Sequence, residues 1–566
     1  MKLQLSLGVP VAATLLVLTA SAWQQQGGQP QPRPRPNTPP GTAPTGPPPK
    51  PGTLAGSVTN SLSHAPIRQA TVFVIGGQGH SFVGVTGDDG KFRIANVDPG
   101  TYFLGQASAK GYHYKPPTRV ISAQIVVAEG QDVTGVKVEL EPQGVIAGKV
   151  VDDDGEPVRD AQVQTLAYDY SRGTKMLSTM GATNTTDDRG EYRLFNLNPG
   201  RYMVRVKVRT GADASPPNTH RTTPVMGYAP TYYPNGSEPA QAVASEVTPG
   251  SEVSGINFRL RSVPVYHIRG KVNQMEDTRN AVGITAAECG GSVASSNPDQ
   301  LFAVTQPGGQ FDISGVTPGT WCVTQQRGGQ GSLTYASETA SVTDHSVDGL
   351  VLNPVVLSPL SGVIQVDGQS TQQPNVTVSL QRTTGYQGAT TPARDGKFTM
   401  NNLMPETYEV MVRGLPQGWY LKSMQYGTQD VSDGLLSLRN DGGTLTLVLG
   451  TDGGQLNGTI QTDSGDPGVN ARVIVAPADR FANRRDLLKM AAADATGHFQ
   501  TADLAPGDYK VYAWDDPDVP MWLSADFRKE LSSRAVTVTV GPGSPSTVQV
   551  TTVPPDDVTK AKAKFQ

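Results

Sequence analysis

The chain has 566 residues, including 63 Gly and 45 Pro, and a formal net charge of −4. Single hydrophobic cores rarely serve more than roughly 250 residues, so several domains are expected. Because Lys+Arg 46 nearly balances Asp+Glu 50, the strongly basic footprint of a nucleic-acid-binding protein is excluded. Many Gly and Pro with only 17% charged residues are typical of a turn-rich, all-β extracellular protein.

The N-terminus has the pattern of a secretory signal peptide, predicted over residues 1–22. Lys2 precedes an apolar run from Val9 to Leu18, and Ala20-Ser21-Ala22 supplies small residues for cleavage. Residues 23–52 are mostly Gln, Pro, Gly, Arg and Thr, which predicts a disordered, polyproline-like linker. No later stretch approaches about 18 apolar residues, so we expect no transmembrane segment in the mature chain. The predicted location is periplasmic, cell-surface or extracellular.

One stretch recurs five times after the linker. In each copy a Pro stands seven residues after a first aromatic, and a second aromatic stands ten residues after the first; the pairs are Phe92/Tyr102, Tyr192/Tyr202, Phe311/Trp321, Phe398/Tyr408 and Phe499/Tyr509. Alternating apolar residues on both sides predict two strands with one buried face. The Pro-Gly between them predicts a hairpin turn with positive φ at the Gly. Glu406 replaces that Gly in the fourth copy, which predicts another turn type or strain.

Each copy also begins with an apolar-x-Gly-x-apolar strand and ends with an alternating strand. About seven short strands in roughly 100 residues are the signature of a β-sandwich. The predicted fold is therefore all-β, a tandem array of five Ig-like or prealbumin-like sandwiches that fold independently like beads on a string. The predicted domains are 53–142, 143–262, 263–358, 359–450 and 451–555, followed by a polar tail at 556–566.

The second unit carries the most specific pattern, with Gly148-Lys149-Val150-Val151-Asp152, Gly155-Glu156-Pro157-Val158 and Asp187-Asp188-Arg189-Gly190-Glu191-Tyr192 leading into Pro199-Gly200-Arg201-Tyr202. In these residues it resembles the carboxypeptidase regulatory-like domain. That family is similar to transthyretin, to the B-type repeats of bacterial collagen-binding adhesins and to carbohydrate-binding-like modules. The resemblance implies a seven-stranded prealbumin-like sandwich that accompanies other domains without performing chemistry.

No catalytic motif is found in the sequence. His-Glu-x-x-His, Gly-x-Ser-x-Gly, the P-loop and the dinucleotide fingerprint are all absent, and the seven His residues never share metal-ligand spacing. We therefore predict no enzyme activity, no catalytic residue, no metal and no cofactor. The carboxylates from Asp152 to Glu156 could form a calcium loop, but they lack the spacing of an EF-hand, and we interpret them as an acidic turn.

The only two cysteines, Cys289 and Cys322, lie in the third unit. Two cysteines in one sandwich of an exported protein are expected to form a disulfide, the alternative being two buried free thiols. The adhesin resemblance also raises a Lys149–Asn257 isopeptide bond. We do not expect that bond, because the acidic residue that the family places after the Tyr is missing.

Two insertions carry candidate ligand-binding aromatics. Tyr228, Tyr232 and Tyr233 follow a Pro-rich excursion and could stack on sugar rings, or they could pack on the next domain. Trp514 and Trp522 flank Asp515, Asp516 and Asp518 and could line a ligand cleft, or they could belong to the core. Leu523, Phe527 and Leu531 stand four residues apart and predict a short amphipathic helix at the sandwich edge.

These observations favour a non-catalytic, secreted or cell-envelope protein that acts as a structural, adhesive or assembly scaffold. The alternative is a carbohydrate-binding protein that uses the loop aromatics. The expected partner is accordingly a polysaccharide or another envelope protein, and not a nucleic acid.

Overall fold

The computed structural model describes residues 49–76, 80–114, 124–208, 225–273, 281–289, 300–328, 333–368, 374–382, 388–393, 395–515 and 519–565. The predicted signal peptide and almost all of the predicted linker lie outside these residues. Lys50–Gln566 form one compact unit. In the described part of the chain, no helix is both long enough and apolar enough to cross a membrane.

Strands make up most of the described chain, and they fall into five successive groups. The first group is β1 (Gly52–Asn60), β2 (Thr71–Gly76), β3 (Ser81–Val85), β4 (Lys91–Val97), β5 (Gly100–Ser108), β6 (Tyr112–His113), β7 (Gln124–Val127) and β8 (Asp132–Pro142). The second is β9 (Gly144–Val151), β10 (Gln162–Asp169), β11 (Met176–Thr185), β12 (Glu191–Leu197), β13 (Gly200–Lys207), β14 (Val225–Tyr228), β15 (Thr231–Tyr232), β16 (Ser245–Val247), β17 (Glu252–Val253) and β18 (Phe258–Arg259).

The third group is β19 (Ser262–Val272), β20 (Gly283–Glu288), β21 (Leu301–Val304), β22 (Gln310–Val316), β23 (Gly319–Gly328), β24 (Leu333–Val342), β25 (Val347–Leu352) and β26 (Val355–Val356). The fourth is β27 (Leu360–Val366), β28 (Thr377–Arg382), β29 (Gly388–Pro392), β30 (Lys397–Met400), β31 (Thr407–Arg413), β32 (Tyr420–Tyr426), β33 (Gln429–Asp430), β34 (Leu435–Ser437) and β35 (Thr444–Gly450). The fifth is β36 (Gly454–Gln461), β37 (Arg472–Pro477), β38 (Lys489–Ala492), β39 (His498–Leu504), β40 (Gly507–Trp514), β41 (Val536–Val540) and β42 (Pro545–Thr551), with helices α1 (Val519–Trp522), α2 (Ala525–Glu530) and α3 (Pro555–Phe565).

Each group forms two sheets that face each other across one apolar core. In the first domain β1 pairs antiparallel with β4 and parallel with β8, which gives the sheet order β4-β1-β8-β6, and the facing sheet has the order β3-β2-β5-β7. The fifth domain repeats this plan as β39-β36-β42 facing β38-β37-β40-β41. Five separate clusters of buried apolar residues fill the five sandwiches. The prediction of an all-β tandem array of sandwiches is confirmed.

The recurring Pro-Gly stretch is an arch between the two sheets, so the hairpin prediction was wrong. β4 pairs with β1 in one sheet, whereas β5 pairs with β2 and β7 in the other. An alternating strand on each side of a turn is compatible with either connection, because both bury one face. In the arch, Phe92 and Tyr102 enter the same core from opposite sheets.

The left-handed residue of this arch is not the predicted Gly. It stands four residues after the first aromatic in every copy, at Asn96, Asn196, Gly315, Asn402 and Asp503, with φ between 57° and 73°. Asn, Asp and Gly are the residues that tolerate this conformation best. The predicted turn Gly instead begins the next strand, as Gly100 begins β5, and its φ is positive only in the third and fifth copies, at Gly319 (156°) and Gly507 (150°). Glu406 is therefore compatible with the fourth arch, since no positive φ is required there.

Both aromatics of the repeat have a structural role in all five domains. The first lies directly across from the Gly of the opening strand, in the pairs Gly56–Phe92, Gly148–Tyr192, Gly270–Phe311, Gly362–Phe398 and Gly458–Phe499. The second donates a hydrogen bond to the carbonyl four residues earlier, from Tyr102 to Asp98, Tyr202 to Asn198, Trp321 to Thr317, Tyr408 to Met404 and Tyr509 to Ala505, at 2.7 to 3.0 Å. This tyrosine-corner contact fixes the arch to the core.

The domains do not contact only their neighbours in sequence, as a simple string of beads would. A further apolar cluster joins Tyr170 of the second domain to Trp514, Trp522 and Phe527 of the fifth. Helix α3, which was predicted as a polar tail, covers this cluster with Val558 and Ala561. These residues and Phe565 recur at helical spacing, so one face of the segment is apolar although its composition is polar.

Candidate functional site

Several buried or half-buried charged side chains lie where the second, fourth and fifth domains meet. Arg485 lies in the loop between β37 and β38, and its Nε donates to Glu409 Oε1 of β31 at 2.7 Å. Its Nη2 donates to Gln381 Oε1 of β28 at 3.1 Å, and its Nη1 donates to the carbonyl of Ser171 in the second domain at 3.3 Å. One guanidinium thus binds two other domains.

The preceding residue, Arg484, is buried and binds the fourth domain in a second way. Its Nε donates to Asp486 Oδ1 at 3.1 Å, while its Nη groups donate to the carbonyls of Ser432 at 3.3 Å and Leu421 at 2.9 Å. A guanidinium has five N–H donors and no acceptor, so it suits a contact that consists of carbonyl and carboxylate oxygens. The two adjacent arginines therefore anchor the fifth domain to the fourth.

The second domain contributes the turn between β10 and β11. Arg172 Nη1 donates to the carbonyl of Arg382 at 3.1 Å, and Arg382 in turn forms an ion pair with Glu406. The hydrogen bond from Arg382 to Glu406 is the main cause that raises the pKa of Arg382, so the guanidinium stays charged. Glu406 replaces the Gly of the other copies, and its role is this ion pair.

A cavity of about 350 Å³ lies inside the junction. Its charged lining is Arg172, Arg382, Glu409, Asp433, Arg484 and Asp486. Three positive and three negative side chains leave the lining neutral, and Arg382 and Arg484 are each paired with a carboxylate. The geometry therefore serves contact between domains.

Sequence reasoning missed the junction. The available signal was loop length. In sequence, 11 residues from Ala478 to Leu488 separate β37 from β38, whereas four residues, Gly77 to His80, separate the equivalent β2 and β3. Within this longer loop, Arg484, Arg485 and Asp486 are consecutive charged residues. The longer, charged loop showed that the fifth domain differs from the others between these two strands. It did not show which other domain the loop contacts.

Trp514 and Trp522 do not line a cleft, so that expectation is corrected. Both are fully buried, and their rings stack with centroids 4.2 Å apart. Trp514 lies on the face of the β38-β37-β40-β41 sheet that points away from the sandwich core, and Trp522 of α1 packs onto that face together with α2 and α3. Because β40 is covered on both faces, its run of apolar residues reflects two cores. Asp515 is exposed, and Asp516 and Asp518 lie outside the described residues.

The predicted amphipathic helix is two short helices, α1 and α2, that cover a sheet face instead of an edge. Ser524 caps α2, its hydroxyl accepting from the N–H of Phe527 at 3.4 Å. Arg528 is buried and donates to the carbonyls of Trp522 at 2.7 Å and Ala482 at 2.6 Å. Burial lowers the pKa of Arg528 to about 10. This side chain ties α2 to the loop that carries Arg484 and Arg485.

The three loop tyrosines do not form one exposed platform, which corrects the expectation of a shared sugar-stacking surface. Tyr232 is buried among Leu166, Leu177 and Met203, and the ring of Tyr233 packs edge-on against Phe258 at 6.0 Å. Tyr228 is half-buried, and its pKa is raised by burial and by the charges of Asp152 to Asp154.

The Tyr-rich insertion reaches the following domain through its backbone, whereas the three tyrosine rings pack within the second domain and not on the next one. β14, which ends at Tyr228, pairs antiparallel with the first residues of β19, with Tyr228 opposite Ser262. β19 is the opening strand of the third domain. The insertion therefore extends a sheet of the following domain.

Cys289 and Cys322 are joined by a disulfide, with Cα atoms 5.1 Å apart. Cys322 lies on β23, and Cys289 directly follows β20, the strand paired with β23. The bond therefore links two neighbouring strands of one sheet within the third domain.

The acidic residues from Asp152 to Glu156 form a turn. Asp152 Oδ1 accepts from the N–H groups of Asp154 at 3.0 Å and Glu156 at 2.9 Å, and Asp153 Oδ2 accepts from the N–H of Ser262 at 2.8 Å. Nowhere among the described residues do three or more His, Cys, Asp or Glu side chains group as metal ligands would. Asn257 Oδ1 accepts from the backbone N–H of Lys149 at 2.9 Å, while the Lys149 side chain is exposed.

Comparison with known proteins gives matches to parts of the chain. The BOS complex subunit NOMO1 of Mus musculus is 28% identical over 128 residues, which cover 22% of this chain and 9% of that protein. Among solved structures, a Streptococcal ancillary pilin is 13% identical and covers 54% of this chain and 99% of its own, with a TM-score of 0.19. The minor pilin GBS52 of Streptococcus agalactiae is also 13% identical and covers 38% and 97%, with a TM-score of 0.22.

The pilus protein RrgB of Streptococcus pneumoniae is 10% identical and covers 73% of this chain and 98% of its own, with a TM-score of 0.15. TM-scores this low add nothing to the fold that the sheets themselves show. The family model of the carboxypeptidase regulatory-like domain matches residues 53–141 and 145–222. These two segments carry the Gly-aromatic pairs and the arches described above. The matched segments are the first domain and much of the second, and together they cover less than half of the chain.

Proposed function

We propose that this chain is a non-catalytic, exported scaffold of the cell envelope that holds several sandwich domains in a defined arrangement. The observation that carries the proposal is the junction, where Arg484 and Arg485 bind the second and fourth domains. Buried ionic groups are costly unless they are paired and fully hydrogen-bonded. Arginines used in this way support a role in orienting domains, and a fixed orientation is what a scaffold provides.

Export is tested by fractionating cells that produce the full-length chain and determining the mature N-terminus by mass spectrometry. The expected result is a protein outside the cytoplasm that begins at Trp23, after removal of residues 1–22. A chain that stays in the cytoplasm with its N-terminus intact contradicts the exported location. The scaffold role is measured separately, through the junction variants described in the Discussion.

Carbohydrate binding remains the second proposal, limited to Tyr228. Its ring is half-buried and lies next to the acidic turn from Asp152 to Asp154. The carboxylates can accept hydrogen bonds from the hydroxyl groups of a neutral sugar, and they would repel an anionic glycan. A glycan array with the mature protein and with Tyr228→Ala tests it. Binding that Tyr228→Ala abolishes supports the proposal, and a lack of binding to every glycan contradicts it. Tyr232→Ala is unsuitable here because Tyr232 is buried.

A further inference from the structure

The first domain exposes an apolar sheet face. On the sheet β3-β2-β5-β7, Val72 and Val74 point into the sandwich and are buried, so the alternate residues of β2 point outwards. All four strands place apolar side chains on the outward face, at Phe73, Ile75, Val83, Val85, Phe103 and Val126, and each is between 36% and 60% exposed. The polar neighbours on this face, Ser81, Thr101 and Gln106, are uncharged. A sheet face that meets water normally carries polar residues at these positions.

These six side chains lie next to one another. Phe73 stands opposite Val83 across the β2–β3 pair, and Ile75 stands opposite Phe103 across the β2–β5 pair. Val126 stands opposite Thr101 on the far side of β5. The residues therefore form one continuous patch, defined here as the apolar face, that crosses the sheet from one edge strand to the other.

The other four domains do not expose an apolar residue at the position of Phe73. The second strands of the five sandwiches, β2, β10, β20, β28 and β37, can be compared at the residue that directly follows their first buried residue. This residue is Phe73 in the first domain, and in the others it is Gln164, Thr285, Ser379 and Ile474. Of these, Gln164, Thr285 and Ser379 are polar, and Ile474 is fully buried beneath α1, α2 and α3. An apolar residue at this position is thus covered in the fifth domain and exposed in the first.

The apolar face is also uncharged. Strands β2, β3, β5 and β7 contain no Asp, Glu, Lys or Arg. Edge strands of natural sheets often carry charged side chains that prevent unwanted pairing, and the edge strands β3 and β7 carry none. A neutral surface offers nothing to a charged glycan or to an anionic lipid headgroup, which are bound through basic side chains.

The size of the face fits a specific protein contact. Its six side chains expose roughly 500 Å², near the upper end of what the largest apolar patch on a monomer reaches. Two copies placed face to face would bury about 1,000 Å² of this surface, which is about the least area expected of a biological interface and fits a weak dimer. Two sheet faces pack well at a spacing of about 10 Å with aligned strands.

We propose that the apolar face of the first domain is a self-association surface, on which a second copy of this chain packs the same face around a two-fold axis. A two-fold interface places each surface against itself, so it requires a face that does not repel its own copy. An uncharged, apolar sheet meets that requirement. The proposal goes beyond the scaffold role and does not rest on it, since dimerisation is independent of export and of the junction in the other domains.

Sedimentation velocity of the mature protein, over a concentration series up to the high micromolar range, tests the proposal. The wild type is expected to shift from monomer to dimer. Ile75→Glu places a charge within the face, where dimerisation would bury it without a partner of opposite charge, and is expected to weaken dimerisation by about 100-fold or more. Phe302→Glu is the matched control, because Phe302 is a 65% exposed apolar residue on the corresponding sheet of the third domain, and it is expected to leave dimerisation unchanged.

A second measurement keeps the result independent of folding defects. Both native cysteines are in the disulfide, so Ile75→Cys introduces one free thiol and is expected to give a covalent dimer on mild oxidation, whereas Phe302→Cys is expected to give no covalent dimer. Circular dichroism checks that each variant is folded. The proposal is overturned by a wild type that is monomeric at every concentration. It is equally overturned by a dimer that Ile75→Glu leaves unchanged or that Phe302→Glu weakens to the same extent.

Discussion

At the scale of single residues, the repeat is explained by pairs that contact across the sandwich. The opening-strand Gly leaves space for the strand neighbour and for the aromatic ring opposite, and the second aromatic fixes the arch to a carbonyl. The sequence was sufficient to identify the opening-strand Gly and the second aromatic as structural positions. It could not show that the ring lies over the Gly, because that pairing joins residues that are about 40 positions apart.

Replacing the opening-strand Gly of the second domain is expected to be destabilising. A Cβ at Gly148 would lie 1.9 Å from the carbonyl oxygen of Ile256, and a backbone atom cannot easily move away. We expect Gly148→Ala to lower the free energy of unfolding by about 2 kcal/mol or more. Gly200→Ala in the same domain is the control, since its Cβ would lie 3.8 Å from the ring of Tyr202. Urea unfolding checks both, and equal losses would contradict the explanation.

Tyr408 is expected to make the fourth domain sensitive to alkaline pH. Burial, followed by the charge of Glu406, raises its pKa from 10.0 to about 12 in the folded state. The phenol therefore stabilises the fold fully below pH 10, and this contribution is lost as the pH rises from 10 to about 12, because the unfolded chain ionises first.

Tyr408→Phe tests this pH dependence. The variant loses the hydrogen bond to the carbonyl of Met404, so below pH 10 it is expected to be less stable than the wild type by about 1 kcal/mol. Between pH 10 and 12 the difference should narrow, because phenylalanine cannot ionise. Urea unfolding on both sides of pH 10 measures this difference. A constant difference would show that the pKa of Tyr408 is unchanged by folding.

At the scale of elements, two predictions failed: the ligand cleft at Trp514 and the polar tail at residues 556–566. In both cases the structure buries side chains that were expected to be exposed. The alternation in Tyr509-Lys510-Val511-Tyr512-Ala513-Trp514 indicated a strand correctly, but it could not show that its outer face is buried as well. The composition of residues 556–566 is polar, yet three apolar residues on one face are enough to dock α3. Helix periodicity in this tail was readable from the sequence, whereas its docking partner was not.

Helix α3 is expected to stabilise the fifth domain through Val558. A carboxylate at this buried position would have no ionic partner in an apolar cluster, so Val558→Asp is expected to cost about 3 kcal/mol and to expose Trp522 and Phe527. Thr559→Asp, at the next, exposed position of the same helix, should be nearly neutral. Calorimetry and binding of a hydrophobic dye compare the two. Similar behaviour of both variants would show that α3 does not cover the cluster in solution.

At the scale of the whole molecule, the arrangement of domains depends on a few charged contacts. Arg485 contacts two other domains, and Glu409 is its carboxylate partner with only 17% of its side chain exposed. A buried pair that loses one partner leaves an uncompensated charge, which is more costly than the net stability of the pair. The junction is thus sensitive to single substitutions.

Arg485→Gln is expected to loosen the contact of the fifth domain with the second and fourth. The unpaired Glu409 should reduce the stability of the junction by about 3 kcal/mol, and hydrogen exchange should rise around Ser171 and Glu409. Small-angle scattering should show a larger radius of gyration. Arg480→Gln is the matched control, because Arg480 is an exposed arginine of the same loop. If Arg485→Gln left scattering and exchange unchanged, the scaffold proposal would lose its supporting observation.

The sequence alone determined the fold class, because alternation of apolar residues, turn residues and a five-fold repeat are local patterns that one-sided burial imposes on any sandwich. It also identified the two positions, Cys289 and Cys322, that the tertiary structure joins. Only the tertiary structure decided that Trp514, Trp522 and Tyr232 are buried, that the repeat is an arch, and that Arg485 contacts three domains including its own. These features depend on residues up to several hundred positions apart, and no local pattern contains the position of a distant partner.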